Sequence, residues 1–361
     1  MRCGAWWRFA GRLMERLVTR VKHLGLRLRS SVRPGVVTLL YHKVTSTRPG
    51  SFGLAVSAPH FFEHMEVLHK IGCAVDLAGL VQDTRHNLPR RRGVVVTFDD
   101  GYADNYLVAK PILSRFGIPA TVFVASGFLD QKRECWSDEL ESLLLLPGRL
   151  PRRLAWIVHG REQAGDLSDC AEYSYELCDR YRGWTVRSDT VPTSRHKVFR
   201  QLFEQLRTAP HVERVTVLND LWRQAGRSPI PRESHRFLRR AELAKLAEGG
   251  LIEIGAHSVT HCSLGSLPVS QQRHEIRQCK LTLEEIVGHP VTSMSYPFGS
   301  SGVDYDVRTV SEVKAAGFAC ACVGTPGTMR SQMPRFEIPR DVVLDWDGDE
   351  FEKHLRWWFI R

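Results

Sequence analysis

The 361-residue chain has no apolar run long enough to span a bilayer, so no segment reads as a transmembrane helix. It has no C-x-x-C pair, and its nine cysteines (Cys3, Cys73, Cys135, Cys170, Cys178, Cys262, Cys279, Cys320 and Cys322) are odd in number and scattered. That pattern argues against a disulfide framework and for free, buried thiols in a reducing compartment. Internal repeats and low-complexity tracts are absent, which removes solenoids and arrays. A basic surface is also largely missing, despite a net charge of +10. Residues 1–33 hold nine Arg or Lys against the single acid Glu15, so +8 lies in that stretch and the remainder carries +2. No basic groove for nucleic acid is expected. Arginines interrupt the first 33 residues before a signal-peptide core could form, so the expected location is cytoplasmic.

The composition that remains is ordinary, 43% hydrophobic and 25% charged, and the length suits one barrel-sized domain, residues 34–361. Within residues 1–33, Trp7, Ala10, Met14, Leu17, Val21 and Leu24 recur at helical spacing, with Arg8, Arg12, Arg16 and Arg20 on another side. This basic amphipathic tail suits peripheral contact with an anionic membrane, at the inner surface for a cytoplasmic protein.

Two segments carry the chemistry. Val94-Val95-Val96 reads as a buried strand that runs into Thr97-Phe98-Asp99-Asp100-Gly101, placing two adjacent carboxylates at a Gly-terminated strand end. Leu251-Ile252-Glu253-Ile254-Gly255-Ala256 reads as a second strand, followed by His257-Ser258-Val259-Thr260-His261. In a helix-like turn the four-residue spacing puts both imidazoles on one side. Two histidines and one carboxylate make an open three-ligand site for a divalent metal. Neighbouring side chains diverge, so one aspartate can ligate while the other stays free as a base.

These segments resemble the motifs T-F-D-D-G and H-[ST]-x-x-H of the polysaccharide deacetylases with a NodB-like domain. The resemblance spans residues 36 to 345 and includes Leu40-Tyr41-His42, Pro119 to Val124, and Ser295-Tyr296-Pro297-Phe298-Gly299. It implies a distorted (β/α) barrel and metal-dependent removal of acetyl groups from N-acetylated sugars. By motif position, Asp100, His257 and His261 are the implied metal ligands, with zinc first and cobalt, nickel or manganese as alternatives. Asp99 is then the implied general base, and the Phe298 backbone amide the implied oxyanion donor. A C-terminal leucine-x-histidine motif, frequent in relatives, has no good match, since His354 falls among charged residues of a helix. His42 is the favoured acid, as in the circularly permuted branch that includes poly-N-acetylglucosamine deacetylases; structural hydrogen bonding is its alternative role. Many relatives also carry an arginine where this chain has Ser295, which leaves the base without that partner unless Arg340 takes over.

Strand and helix patterns alternate on both sides of a break at about 129–238, which reads as a mostly helical insertion beside the site. Trp136 near its start either lines a sugar cleft or packs between helices. Residues 59–71 form a helix with Phe62, Met65, Leu68 and Ile71 as its apolar stripe, and 270–287 another ending at Gly288. The leading functional reading is deacetylation of N-acetylhexosamine units in a polysaccharide or its lipid-linked precursor. Hydrolysis of a different N-acyl molecule and a silent carbohydrate-binding protein are the alternatives. An iron oxygenase fits the ligand set but not the second aspartate.

Overall fold

The computed structural model describes residues 35–45, 50–83, 92–329 and 334–360. The basic tail of residues 1–33 lies outside them. Six parallel strands form the core sheet: β1 (Val36–Tyr41), β2 (Gly93–Phe98), β3 (Ala120–Val124), β4 (Ile252–Ala256), β5 (Ser293–Ser295) and β6 (Cys320–Cys322). They lie side by side in the order β6-β5-β4-β3-β2-β1. Every residue of β1 and β2 is buried, as expected for a sheet covered on both faces, and their apolar runs therefore do not alternate. On the far side of β1 sit β7 (Thr328–Met329), antiparallel, and β8 (Asp341–Val342), parallel.

The curled sheet is joined across its gap by one segment. Ile338 bridges to Cys322 of β6, while Asp341 pairs with Leu39 of β1, so residues 338–342 span the seam of a distorted (β/α) barrel. Arg340 lies in the middle of that seam.

Helices pack outside. They include α1 (Ala58–Ile71), α2 (Lys110–Phe116), α3 (Trp136–Leu144), α4 (Ser194–Thr208), α5 (His211–Gln224), α6 (Arg240–Ala247), α7 (Val269–Val287), α8 (Val307–Ala315) and α9 (Gly348–Trp358). The α1 stripe differs from the sequence expectation. Phe61, His64, Met65 and Leu68 are its buried residues, whereas Phe62 is partly covered and Ile71 is 48% exposed. The reason is polar: His64 can turn inward because Tyr41 Oη lies 3.2 Å from its Nδ1 and the Trp346 carbonyl 2.7 Å from its Nε2. Helix α7 does end at Gly288, in the left-handed conformation at φ 74°.

The insertion has its own apolar core, built from Leu140, Leu143 and Leu144 of α3 with Trp156, Phe199, Leu202, Leu218 and Leu221. Tyr102, Phe128 and Phe237 connect that core to the barrel. It is less helical than expected, because Arg153–Val158 and Arg161–Asp166 form an antiparallel hairpin. His159 (φ 52°) and Gly160 (φ 70°) make its turn, both left-handed as a two-residue hairpin loop requires. The eight described cysteines are free thiols, and Cys320 and Cys322 share one face of β6, as expected.

Candidate active site

The site forms where the parallel strands end, at their carboxyl edges. Strand register places its members. Tyr41 pairs with Phe98, so His42 and Asp99 follow as adjacent residues beyond β1 and β2, and the Asp99 N–H donates to the Tyr41 carbonyl at 3.0 Å. Val124 pairs with Ala256, and the His257 N–H donates to the Val124 carbonyl at 3.0 Å, fixing the first histidine beyond β4.

Asp100, His257 and His261 converge. One ligand atom from each lies within 4.8 Å of the others, and all three residues are buried. Both imidazole Nε2 atoms face the same oxygen, Asp100 Oδ1, at 3.5 Å from His257 and 3.2 Å from His261. That oxygen is buried yet makes no hydrogen bond of acceptable geometry. An orphaned buried carboxylate oxygen flanked by two imidazole nitrogens fits a divalent ion with N and O ligands. His257 Nδ1 lies 2.8 Å from the Ser295 carbonyl and donates its proton there, which turns the Nε2 lone pair toward Asp100.

The histidine segment is an irregular loop rather than the helix-like turn expected. Ser258 (φ 62°) and His261 (φ 48°) are left-handed, and the two rings meet at 61° with centroids 4.9 Å apart. Glu275 of α7 holds the loop by accepting from the Val259 and Thr260 N–H groups at 2.8 and 2.9 Å and from Thr260 Oγ1 at 2.8 Å. On its other side the buried Arg214 of α5 donates to the His261 carbonyl at 3.1 Å. Gly127 is needed beneath it, since a Cβ there would come within 2.6 Å of the Val259 carbonyl oxygen. Asp100 (φ 75°) and Phe298 (φ 62°) are also left-handed, so four of the six such non-glycine residues among those described lie at this site. Strain of about 1–3 kcal/mol per residue is held here by the surrounding bonds.

Asp99 is turned to a different partner. Arg340 grips it in a two-pronged pair, Nη1 to Oδ1 and Nη2 to Oδ2, both 2.7 Å. The guanidinium is itself fixed by the Val323 carbonyl at 3.0 Å and by Ser295 Oγ at 2.6 Å. The seam segment thus delivers Arg340 as the partner of Asp99, with Ser295 beside it. Burial pushes the Asp99 carboxyl up, but Arg340 and then His257 outweigh it and hold it below its ordinary value. Burial likewise works against Asp100, where His261 and His257 dominate and hold it well below.

His42 lines the same cleft, and its Nδ1 is buried with no hydrogen-bond partner. Burial lowers its pKa, opposed by Asp100 and Asp99. Phe298 lines the cleft too, its ring edge-on to His261 at 4.8 Å. The Phe298 backbone N–H makes no hydrogen bond among the described residues. His354 is elsewhere, stacked on Trp346 at 3.8 Å. Trp136 is not a sugar platform: it is 7% exposed and stacked on Phe203 at 5.5 Å. Sequence reasoning missed Lys43 and Tyr102, which line the cleft together with Asp138, two residues after Trp136 in the segment expected there. Lys43 Nζ and Tyr102 Oη both donate to Asp138 Oδ2, at 2.8 and 2.7 Å. The first two directly follow the motifs at His42 and Gly101, a signal that was available.

The polysaccharide deacetylase family model matches residues 86–144 and 220–321, the two blocks that flank the insertion's centre. These two blocks make the chain similar to the polysaccharide deacetylases. It is 30% identical over 107 residues to YxkH of Bacillus subtilis (strain 168), which carries a polysaccharide deacetylase designation; the match covers 29% of this chain and 37% of that protein. The fold is shared with the Streptococcus pyogenes deacetylase PplD, solved in complex with acetate (TM-score 0.53, 13% identity, 89% of this chain and 98% of that one). It is shared also with IcaB from Ammonifex degensii (TM-score 0.52, 15% identity, 91% and 98%).

Proposed function

We propose that this protein removes N-acetyl groups from N-acetylhexosamine units of a polysaccharide or its precursor. The observation that carries the reading is the pairing of an ion-shaped donor set, Asp100, His257 and His261, with a separately clamped carboxylate at Asp99. Zinc is the first choice for two imidazoles and one carboxylate. Bound there, the ion would polarise the acetyl carbonyl and lower the pKa of water.

The chain's own residues supply the proton traffic. Asp99, ionised and oriented by Arg340, takes the proton of the attacking water as its oxygen adds to the acetyl carbon. The Phe298 N–H stabilises the oxyanion that develops. When the C–N bond breaks, the amine needs a proton, and His42, which lines the cleft, gives it. Acetate and the free amino sugar leave. A silent binding protein has no use for a buried guanidinium whose two prongs fix a second carboxylate, so that alternative is disfavoured.

The test is acetate release from N-acetylated glycans by the full chain, after chelation and after adding back zinc, cobalt, nickel or manganese. Activity restored by metal, and lost with metal content in His257→Ala, is the expected result. Release that is indifferent to chelation would overturn the reading. Residues 1–33 fit a cytoplasmic protein held peripherally at an anionic membrane, through their +8 charge and apolar stripe. Salt-sensitive pelleting with anionic vesicles that is lost on deleting those residues would support this; pelleting that persists would contradict it.

A further inference from the structure

The oxyanion donor proposed above sits in a strained turn. Phe298 (φ 62°) is the central residue of a three-residue turn, closed by the Gly299 N–H donating to the Pro297 carbonyl at 2.7 Å. The positive-φ form of such a turn is the rare, strained one. The Phe298 N–H takes no part in that bond. Strain of this kind persists only where the surroundings fix the backbone, so the groups that hold the turn also hold the donor.

Three attachments do so. The Gly324 N–H, just beyond β6, donates to the Gly299 carbonyl at 3.1 Å. The Ser300 N–H donates to Asp304 Oδ2 at 2.9 Å. The third comes from the insertion, where Arg207 in the last turn of α4 places its guanidinium 5.0 Å over the Phe298 ring. The last two act as one unit. Arg207 pairs with Asp304, its Nε 3.0 Å from Oδ1 and its Nη2 on Oδ2. Asp304 is fully buried and accepts also from Ser263 Oγ at 3.0 Å, two residues after His261. A buried carboxylate bound by donors from three segments fixes their relative positions, since withdrawing the cation leaves it desolvated and underpaired.

We propose that Arg207 and Asp304 are positioning residues: together they set the Phe298 N–H for the developing oxyanion, so that the insertion takes part in turnover. The proposal rests on the deacetylase reading above and deepens it. The test is a double-mutant cycle of Arg207→Met with Phe298→Gly in the metal-loaded full chain, reading kcat and KM for acetate release together with metal content. Glycine keeps the N–H, adopts the left-handed conformation without its cost and removes the ring under the guanidinium. Arg207→Met is expected to lower kcat about 10²-fold, as a misplaced reacting geometry does. KM and metal content should stay unchanged, and Arg207→Lys should recover part of the loss. In the Phe298→Gly background the same substitution should cost far less, because contacting residues that act together are not additive. Asp304→Asn should likewise lower kcat with KM held. An unchanged kcat, an equal loss in both backgrounds, or a loss that follows departure of the metal would overturn the proposal and leave the deacetylase reading standing. Should Arg207→Met fail to fold, Arg207→Lys carries the same cycle with a smaller loss. No acetate from any N-acetylated glycan with the unaltered chain would overturn the deacetylase reading itself, and this proposal with it.

Discussion

The barrel and the insertion bury charge in opposite ways. In the barrel, β1 and β2 are fully buried and carry no charged side chain, and Asp99, Asp100, His257 and Arg340 meet at the strand ends. In the insertion, charge runs through the core: Asp138, Glu139 and Glu141 of α3 are all buried, together with Glu134 just before it. Arg232 answers Glu134 and Glu141 at 2.7 and 3.0 Å, and Trp222 Nε1 donates to Glu139 at 2.7 Å. The barrel thus concentrates its electrostatics where chemistry is done, whereas the insertion uses ion pairs to lock helices into a fixed cover. A buried pair contributes little net stability over apolar packing, but removing one partner is costly.

Three perturbations separate these uses. The largest effect is expected for Arg340→Met. It leaves Asp99 buried without its cation, which should cost about 3–5 kcal/mol of stability. It should also reduce the rate by about 10²–10⁴, as for a lost general base. Loss of the guanidinium raises the Asp99 pKa, so the acid limb of the pH–rate profile should move to higher pH, and Arg340→Lys should recover part of both effects. A variant with an unmoved acid limb would show that Arg340 is only structural.

Next comes Arg232→Met, which strands Glu134 and Glu141 and should also destabilise by about 3–5 kcal/mol. Hydrogen exchange should show that loss concentrated in α3 and its neighbours, with metal content unchanged. Equal loosening of the barrel strands would mean the two cores unfold as one.

The smallest effect concerns acid stability. Burial pushes His64 of the barrel down to about 4, and likewise His196 to about 4 and His235 to about 3 in the insertion. Unfolded histidine titrates near 6.5, so below that pH the unfolded chain binds protons that the folded one refuses. The stability these groups contribute is complete above pH 6.5 and is lost progressively as pH falls toward 4 for His64 and His196 and toward 3 for His235. With two of the three in the insertion, limited proteolysis near pH 5 should cut there first. Barrel cleavage ahead of insertion cleavage would reverse the comparison.

The same contrast explains what could be read from sequence. Barrel strands announce themselves through Val94-Val95-Val96 and the β4 run, so the site aspartates and histidines were legible with their strand ends. Arg340 lies 241 residues from Asp99, and only the seam that joins β6 to β1 brings them together. The insertion was harder. Leu154, Trp156 and Val158 alternate as a strand should, but their partner strand turns Gln163 and Gly165 inward, and no apolar period marks it. Trp136 was ambiguous for a related reason: whether a tryptophan faces a cleft or a neighbour depends on Phe203, some 67 positions away.

The central claim is that adjacent aspartates divide the work, Asp100 holding the ion and Asp99 handling the proton. Metal content and acetate release should be measured together on Asp99→Asn and Asp100→Asn. The account predicts that Asp99→Asn keeps a full complement of metal while losing about 10²–10⁴ in rate, and that Asp100→Asn loses the metal. Loss of metal from Asp99→Asn, with retention in Asp100→Asn, would contradict it.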